Sequence, residues 1–460
     1  MEIVKQDYSK FERQLKIFFE EKYQDFSLKF PERAVAFQQF ITEGFPTRQL
    51  ESWRNTDLAH ILNDNYHIVA PNDRNLLSTA AFHCNVQGIN VHEISITNGF
   101  SNQKLIKLDN DVIYGSLQEA ILQYPDLVSK HFGKYNKHLD GFSSLNDTFW
   151  LDGAFVYVPD NISLDLPLQI LNAYNWDEQL FLSVRNLIVL GKNSKMTLLH
   201  CDDSLNHHRA LSNSVSEIYM DEYSEMDYYK LQNINNKTAI VNRIIFYQEQ
   251  ASRLNANQVS LNGGLLRNDI HVKLDGKMSD ADVSGAYLMD KNQMIDNHVH
   301  VHHAVSDCTS NQEFRGVLDD YAATVFNGYI LVDKDAQKTA AQQSCRHILV
   351  SDKAKIETQP FLEIYADDVK CSHGASVGQL DNEALFYMRS RGIDEQNART
   401  LLTYAFVSVV LDKIKIKPLR ERYADMIKQR LSGNLGICGQ CVLDCSIKEK
   451  MEQLDGLKLF

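Results

Sequence analysis

Between Gly153 and about Leu380 the chain carries no amphipathic segment of helix length, and that restricts its fold more than any other feature. Short apolar runs alternate with polar residues there. Examples are Phe155-Val156-Tyr157-Val158, Asn186-Leu187-Ile188-Val189-Leu190, Glu217-Ile218-Tyr219-Met220 and Arg243-Ile244-Ile245-Phe246-Tyr247. Polar or glycine turns follow or separate them: Gly191-Lys192-Asn193, Asp221-Glu222, Gln248-Glu249 and Asp275-Gly276-Lys277. A doubly wound α/β sheet needs crossover helices, so the pattern argues strongly against one. The turns recur at roughly 25–30 residues, the range of repeat architectures. A β-helix coil fits this, because one coil cannot bury its inner face until the next is stacked on it. A large sandwich also gives many short strands, and periodicity alone leaves both open. The polar residues on both faces of Glu225 to Gln232 favour the coil.

Helical periods flank this stretch. Phe11, Leu15, Phe18 and Phe19 recur at helical spacing, as do Ala34, Phe37, Phe40 and Ile41. Pro31 suits the first turn of the second of these helices. Ser116 with Glu119 reads as a capping box for another. After Asp381 the helical period returns. Asp394 can cap a helix whose apolar positions are Ala398, Leu401, Leu402, Ala405, Phe406, Val409 and Val410. Pro418 breaks or restarts it. The expected divisions are a largely helical N-terminal domain over 1–150, a β-rich core over 151–380, and a C-terminal helical domain over 381–460 with a cysteine-containing tail.

Charge narrows the function. The formal net charge is -13, from 60 acidic and 47 basic residues. That disfavours nucleic acid, whose binding draws on clustered positive charge. Met1-Glu2-Ile3-Val4-Lys5-Gln6-Asp7 lacks the apolar core of a signal peptide, and the apolar run Tyr404 to Leu411 is too short to cross a bilayer. The expectation is a cytoplasmic protein that engages no membrane and whose eight cysteines are free thiols.

Three clusters could carry chemistry. In Asn297-His298-Val299-His300-Val301-His302-His303, a strand would place His298, His300 and His302 on one face and His303 on the other. Such a face could bind a transition metal; the plainer alternative is a solvent-facing strand. In Cys371-Ser372-His373 the thiol and the imidazole share one face of an extended segment, and thiolate is a soft ligand suited to iron–sulfur chemistry. The plainer alternative is a buried cysteine beside a structural histidine. Cys438, Cys441 and Cys445 put three thiols into eight residues, one short of a structural metal site; a mobile tail with incidental thiols explains them as well. No phosphate-binding loop or nucleophile elbow is present, so nothing points to an ATPase or a serine hydrolase.

Taken together, the segments resemble the SufB/SufD family of iron–sulfur cluster assembly proteins. The likeness runs from Phe45 to about Leu411. It begins with Phe45-Pro46-Thr47-Arg48 and Glu51-Ser52-Trp53-Arg54-Asn55-Thr56-Asp57-Leu58, then Phe142 to Asn146 and Leu151-Asp152-Gly153-Ala154-Phe155-Val156-Tyr157-Val158-Pro159. His303, Cys308-Thr309-Ser310, Gly316-Val317-Leu318, Val325-Phe326-Asn327-Gly328 and Gln342 follow in the family's order. The most specific block runs from Ala366-Asp367-Asp368-Val369 through Lys370-Cys371-Ser372-His373-Gly374-Ala375 to Phe386-Tyr387 and Ser390-Arg391-Gly392-Ile393. Ala354 stands where SufB-like chains carry a cysteine, and Ser372-His373-Gly374-Ala375 where they tend to read Glu-His-Glu-Ala. Both departures point to the SufD side of the family.

The resemblance implies a right-handed parallel β-helix flanked by helical domains. It implies a non-enzymatic subunit of the SUF complex that pairs with a SufB-like scaffold and docks a SufC-like ATPase. His373 and then Cys371 would lie at the cluster-assembly interface. Phe386, Tyr387, Arg391, Gly392, Leu401 and Phe406 would belong to the ATPase-docking helices, where plain helix packing is the alternative. Iron or an iron–sulfur cluster would be held transiently in the complex, with no cofactor bound stably by the isolated chain. A homodimer through β-helix edges is compatible with this. The competing expectations are a β-helix enzyme acting on polysaccharide and a metal-binding protein built on His298 to His303.

Overall fold

The computed structural model describes residues 9–23, 31–76, 88–136, 139–204 and 207–432. Its centre is a parallel β-solenoid of about eight turns. Each turn gives one strand to each of two sheets. In the first sheet, Leu180–Leu190, Ala210–Met220, Ala239–Gln248, Leu265–Leu274, Met294–His303, Ala323–Val332 and Lys355–Ile364 stack in parallel. In the second, Leu168–Tyr174, Lys195–Ser204, Glu225–Asn233, Arg253–Asn262, Asp280–Met289, Thr309–Leu318, Thr339–Leu349 and Val369–Gly378 do the same. Leu180 pairs with Ala210, Ala239 with Leu265 and Ala323 with Lys355, so one coil takes 30, 26 or 32 residues. A sandwich of antiparallel sheets is thereby ruled out.

One turn recurs before the second-sheet strands. Asn193, Tyr223, Ala251, Met278, Asp307 and Lys338 all adopt a left-handed backbone conformation. That conformation is strained for a side chain larger than hydrogen, by about 1–2 kcal/mol each. A hydrogen bond to the adjacent coil helps to hold it. The N–H of Asn193 donates to the Glu222 carbonyl, Tyr223 to Gln250, Ala251 to Lys277 and Asp307 to Gln337. The next residue is buried and small: Ser194, Ser224, Ser252, Ser279, Cys308 and Thr339. Ser194, Ser224 and Ser252 each donate to the carbonyl three residues back at 2.7 Å. Thr339 does so at 2.8 Å. Backbone geometry carries this repeat, which is why residues as different as Met278 and Asp307 occupy one structural position.

The flanks add to the same sheets. His92–Thr97 extends the second sheet in parallel, and Ile113–Ser116 joins the first through Ala154–Val158. The helices Lys10–Phe18, Pro31–Glu43 and Gly141–Phe149 contribute aromatic rings to a cluster on the first sheet. In it Phe19 and Phe37 stack at 3.9 Å, and Phe11 meets Phe181 edge-on at 5.0 Å. Ser116 does cap its helix, accepting from the Glu119 N–H. The Glu119 carboxylate, however, accepts from the Leu105 N–H at 2.7 Å, so the reciprocal half of the expected box is spent on a neighbouring loop.

Asp394 caps the helix Glu395–Leu411, and Pro418 lies in the first turn of Lys417–Leu431. Both helices cover the outer face of the second sheet through Tyr229, Val259, Leu288 and Val317. This explains Glu225 to Gln232. Tyr229 and Leu231 face those helices, while Lys230 points into the solenoid and pairs with Asp202 at 2.8 Å. The buried face of Glu395–Leu411 is Ala398, Thr403, Val407, Val410 and Leu411. Leu401 and Val409, expected on the packed stripe, are exposed instead. The helix is apolar on two sides, and the solenoid takes only one. Among the described residues no helix is long and apolar enough to cross a membrane.

Candidate functional site

Among the described residues nothing caps the last coil of the solenoid. Lys355–Ile364 pairs only with Ala323–Val332, and Val369–Gly378 only with Thr339–Leu349, so each is the edge of its sheet. Edge strands present unpaired N–H and C=O groups, which folded chains normally cover, shorten or charge. Here both edges lie at the same end, and neither strand has a buried residue. Apolar side chains stand exposed around them: Val350, Phe361, Ile364, Tyr365 and Val377. A cluster of exposed apolar groups on a soluble surface marks an interaction site.

Cys371 and His373 sit on this edge. Register pairs Cys371 with Ala341, His373 with Gln343 and Ala375 with Cys345. Ala341, Gln343 and Cys345 are all buried, so Cys371 and His373 belong to the inward-facing row of the last coil. The expected shared face is therefore present, and it is the solenoid's own open mouth. Cys371 packs against Ile330, Val332, Ala336, Ala341 and Ala366. This half-burial pushes its thiol up from the ordinary value, so the isolated chain holds it protonated at neutral pH. His373 is exposed. Gln343, beneath it, keeps both polar side-chain atoms buried and without a hydrogen-bond partner among the described residues. Gly374, between Cys371 and Ala375, faces open space, where a Cβ would meet nothing within 4 Å. A thiol and an imidazole make two ligands of soft and borderline type, an incomplete set that an opposing surface could complete.

Ala354 is buried in the main core, in the turn just before Lys355–Ile364 and not within that strand. A methyl group there offers no sulfur chemistry.

The histidine strand behaves differently from a metal face. His298, His300 and His302 do share the outer face, and His303 points inward to Ser310 at 2.8 Å. Each outer imidazole has its own neighbour. His298 lies 3.0 Å from Asp296, His302 2.9 Å from Asp333, and His300 stacks on His271 at 4.7 Å. Among the described residues no group of three or more His, Cys, Asp and Glu side chains is disposed to hold a metal ion. Asp296, two residues before His298, shares its strand face as the spacing displays, whereas Asp269 arrives from the adjacent coil, which spacing does not display. Cys438, Cys441 and Cys445 lie outside the described residues.

The C-terminal helices present a second surface. Phe386 is 74% exposed, Tyr387 59% and Leu401 48%. The Arg391 guanidinium lies 5.2 Å from the Tyr387 ring, and Gly392 ends the turn in a left-handed conformation. Phe406, grouped with them in the sequence, faces the solenoid instead. Its ring lies 5.2 Å from the Arg315 guanidinium, which donates to its carbonyl at 2.8 Å.

The N-terminal block around Trp53 and Thr56 has a structural task that spacing did not reveal. Arg267 is buried on the first sheet and pairs with Asp269 at 2.8 Å and Asp296 at 2.5 Å. Trp53 lies over its guanidinium at 4.5 Å, and the Thr56 hydroxyl donates to Asp296. Trp53 and Thr56 thus clamp the N-terminal region onto the solenoid.

Two family models match the chain. The SUF system FeS cluster assembly SufBD core domain covers residues 173–406, and the SufBD protein N-terminal region covers 3–170. The chain belongs to the SufBD family of iron–sulfur cluster assembly proteins. A SufBD family protein of Synechocystis is 28% identical over 397 residues, 84% of this chain and 87% of that one. The iron–sulfur cluster assembly protein SufD of Escherichia coli is 26% identical over 416 residues, 88% and 93% of the two chains. SufD of Bacillus subtilis is 27% identical over 331 residues, 70% and 75%. The core match spans nearly the whole solenoid together with the first two C-terminal helices as far as Phe406. The last coil and the helix that carries Phe386 both lie within the core match. The family's role is iron–sulfur cluster assembly, and the carbohydrate-active alternative is left without support.

Proposed function

We propose that this chain is a non-catalytic subunit of a SUF assembly complex, joined to a SufB-like scaffold through the open end of its solenoid. One observation carries the proposal: both sheet edges end uncovered at the same place, with Cys371 and His373 in the mouth between them. A second solenoid laid edge to edge would continue both sheets and satisfy the free backbone groups. It would also bring further ligands opposite Cys371 and His373. Iron or a nascent cluster is then cargo at a shared site, with His373 accepting iron or a proton and Cys371 deprotonating as it binds metal. The exposed Phe386, Tyr387 and Leu401 surface is the docking face for a SufC-like ATPase. A cytoplasmic location goes with this role.

The test is co-purification with a SufB-like and a SufC-like partner. Truncation at Asp381 is a poor probe, because it strips Val407, Val410 and Tyr423 from the second sheet. Ala375→Asp at the open edge should abolish scaffold binding and leave ATPase binding intact. Phe386→Asp should do the reverse. His373→Ala should assemble normally and carry less iron and sulfide. Retention of both partners by both surface variants would end the proposal.

A further inference from the structure

The outer face of the first sheet carries a cleft of about 220 Å³. It lies between the loop bearing Lys134 and Tyr135 and the strands Ala239–Gln248, Leu265–Leu274 and Met294–His303. The volume is below the range of drug-sized ligands, which restricts an occupant to a single ring or a short chain.

Its charge is unlike that of the molecule around it. The chain's formal charge is -13, yet among the described residues lining the cleft none is acidic. Arg243, Lys134 and Lys273 line it together with His271, His300 and His302. Carboxylates contact this lining, but none is among the described residues that form it. Asp140 and Asp269 reach the Arg243 guanidinium at 3.7 Å and 3.8 Å, beyond hydrogen-bond length. Asp275 holds Lys273 at 2.7 Å, and Asp333 holds His302 at 2.9 Å.

Two polar atoms in this wall have no partner among the described residues. The Nε2 of His271 and the Nε of Arg243 are both withdrawn from solvent and make no hydrogen bond to any of them. Arg243 as a whole is 4% exposed. Buried unpaired donors are rare in folded proteins, and each needs an explanation. Burial keeps His271 neutral, and a neutral ring can still offer one N–H to an oxygen. Aromatic and apolar side chains stand beside these groups, Ile245 and Tyr247 on the strand of Arg243 itself. Tyr135 and Tyr247 approach ring to ring at 4.6 Å, with Leu139 and Ile245 beside them.

We infer that this cleft binds a small organic anion: a carboxylate or phosphate group seated among Arg243, Lys273 and His271, with a flat apolar body against Tyr135 and Tyr247. Charge-assisted hydrogen bonds fix the head, and ring contact fixes the body. None of these residues belongs to the open end or to the docking helices, so the site stands or falls apart from the partner proposal.

The experiment is an NMR titration of the full chain, with labelled histidine, using phenyl phosphate, benzoate, inorganic phosphate and neutral benzyl alcohol. Phenyl phosphate or benzoate should shift the His271 and His300 ring signals saturably, and which one binds tighter identifies the head group. Lys273→Glu should weaken that binding by about tenfold or more, as loss of one charge-assisted contact predicts. Lys134→Glu, an exposed change on a separate element, should weaken it in the same direction and covers the case in which Lys273→Glu does not fold. Three results would overturn the inference. They are no saturable shift with either aromatic anion, binding of inorganic phosphate as tight as phenyl phosphate, or unaltered affinity in the folded variants.

Discussion

The two ends of the solenoid share one backbone geometry and differ almost completely in burial. At the first end, Leu168–Tyr174 and Leu180–Leu190 are buried along their whole length. At the last end, Lys355–Ile364 and Val369–Gly378 contain no buried residue. Strand pairing and register are equally regular at both. What differs is cover. Near the first end buried arginines tie the N-terminal helices and loops to the first sheet. Arg185 pairs with Asp147 at 2.7 Å and Glu217 at 2.8 Å, and Arg267 pairs with Asp269 and Asp296 further along. Among the described residues the last coil has only the coil beneath it. A solenoid therefore does not fix its own ends; the flanking chain decides which end is closed and which is left for another molecule.

This contrast predicts large effects at covered positions and small ones at the open edge. The largest belongs to Arg267→Met, which strands two carboxylates inside the protein. It should cost about 3–5 kcal/mol of unfolding free energy. Urea denaturation measures this, and a loss under about 1 kcal/mol would show that the clamp does not anchor the N-terminal region.

Acid should act next. His300, His303 and His347 are held down to about 4, in each case chiefly by burial. Their unfolded value is about 6.5. Depressed folded values mean that the unfolded chain takes up protons first. The stabilisation is full above pH of about 6.5 and is lost as pH falls towards 4. The melting temperature should fall through that window, and a flat profile would argue against buried neutral imidazoles.

At the open edge Ala375→Asp should change monomer stability by no more than about 0.5 kcal/mol, because the position is already solvated. Its effect should appear only in partner binding. Phe386→Asp should be similarly mild, since its ring is 74% exposed. Gly374→Ala should be the mildest. Among the described residues nothing lies within 4 Å of the added carbon. If it nonetheless weakens assembly, the space at Gly374 is occupied by the partner's backbone.

Much of the fold was legible. Strand texture without helix-length amphipathic segments excluded crossover folds, and the expected turn spacing overlaps the observed coil steps, the longest of which, 32 residues, exceeds it. The ladder of buried small residues from Ser194 to Thr339 was also present in the sequence and could have been found. It was masked because the left-handed residue before each rung varies, as from Tyr223 to Asp307, both held by hydrogen bonds between coils. The candidate site was legible in part. Cys371 and His373 share a face, as alternation requires. Phe406 did not stay with Phe386 and Leu401, because a helix apolar on two sides does not announce which side will be packed.

By itself the sequence determined the strand periodicity, the helix caps at Ser116 and Asp394, and the family through its ordered blocks. These are local or one-dimensional properties, written in consecutive residues. Only the tertiary structure decided that the last coil is uncovered, that Asp269 and Asp296 meet around Arg267, and that basic side chains from separate strands line one cleft. Those depend on residues about one coil apart in sequence becoming neighbours across a single strand spacing of about 4.8 Å. In a degenerate repeat no spacing rule specifies which of them will touch.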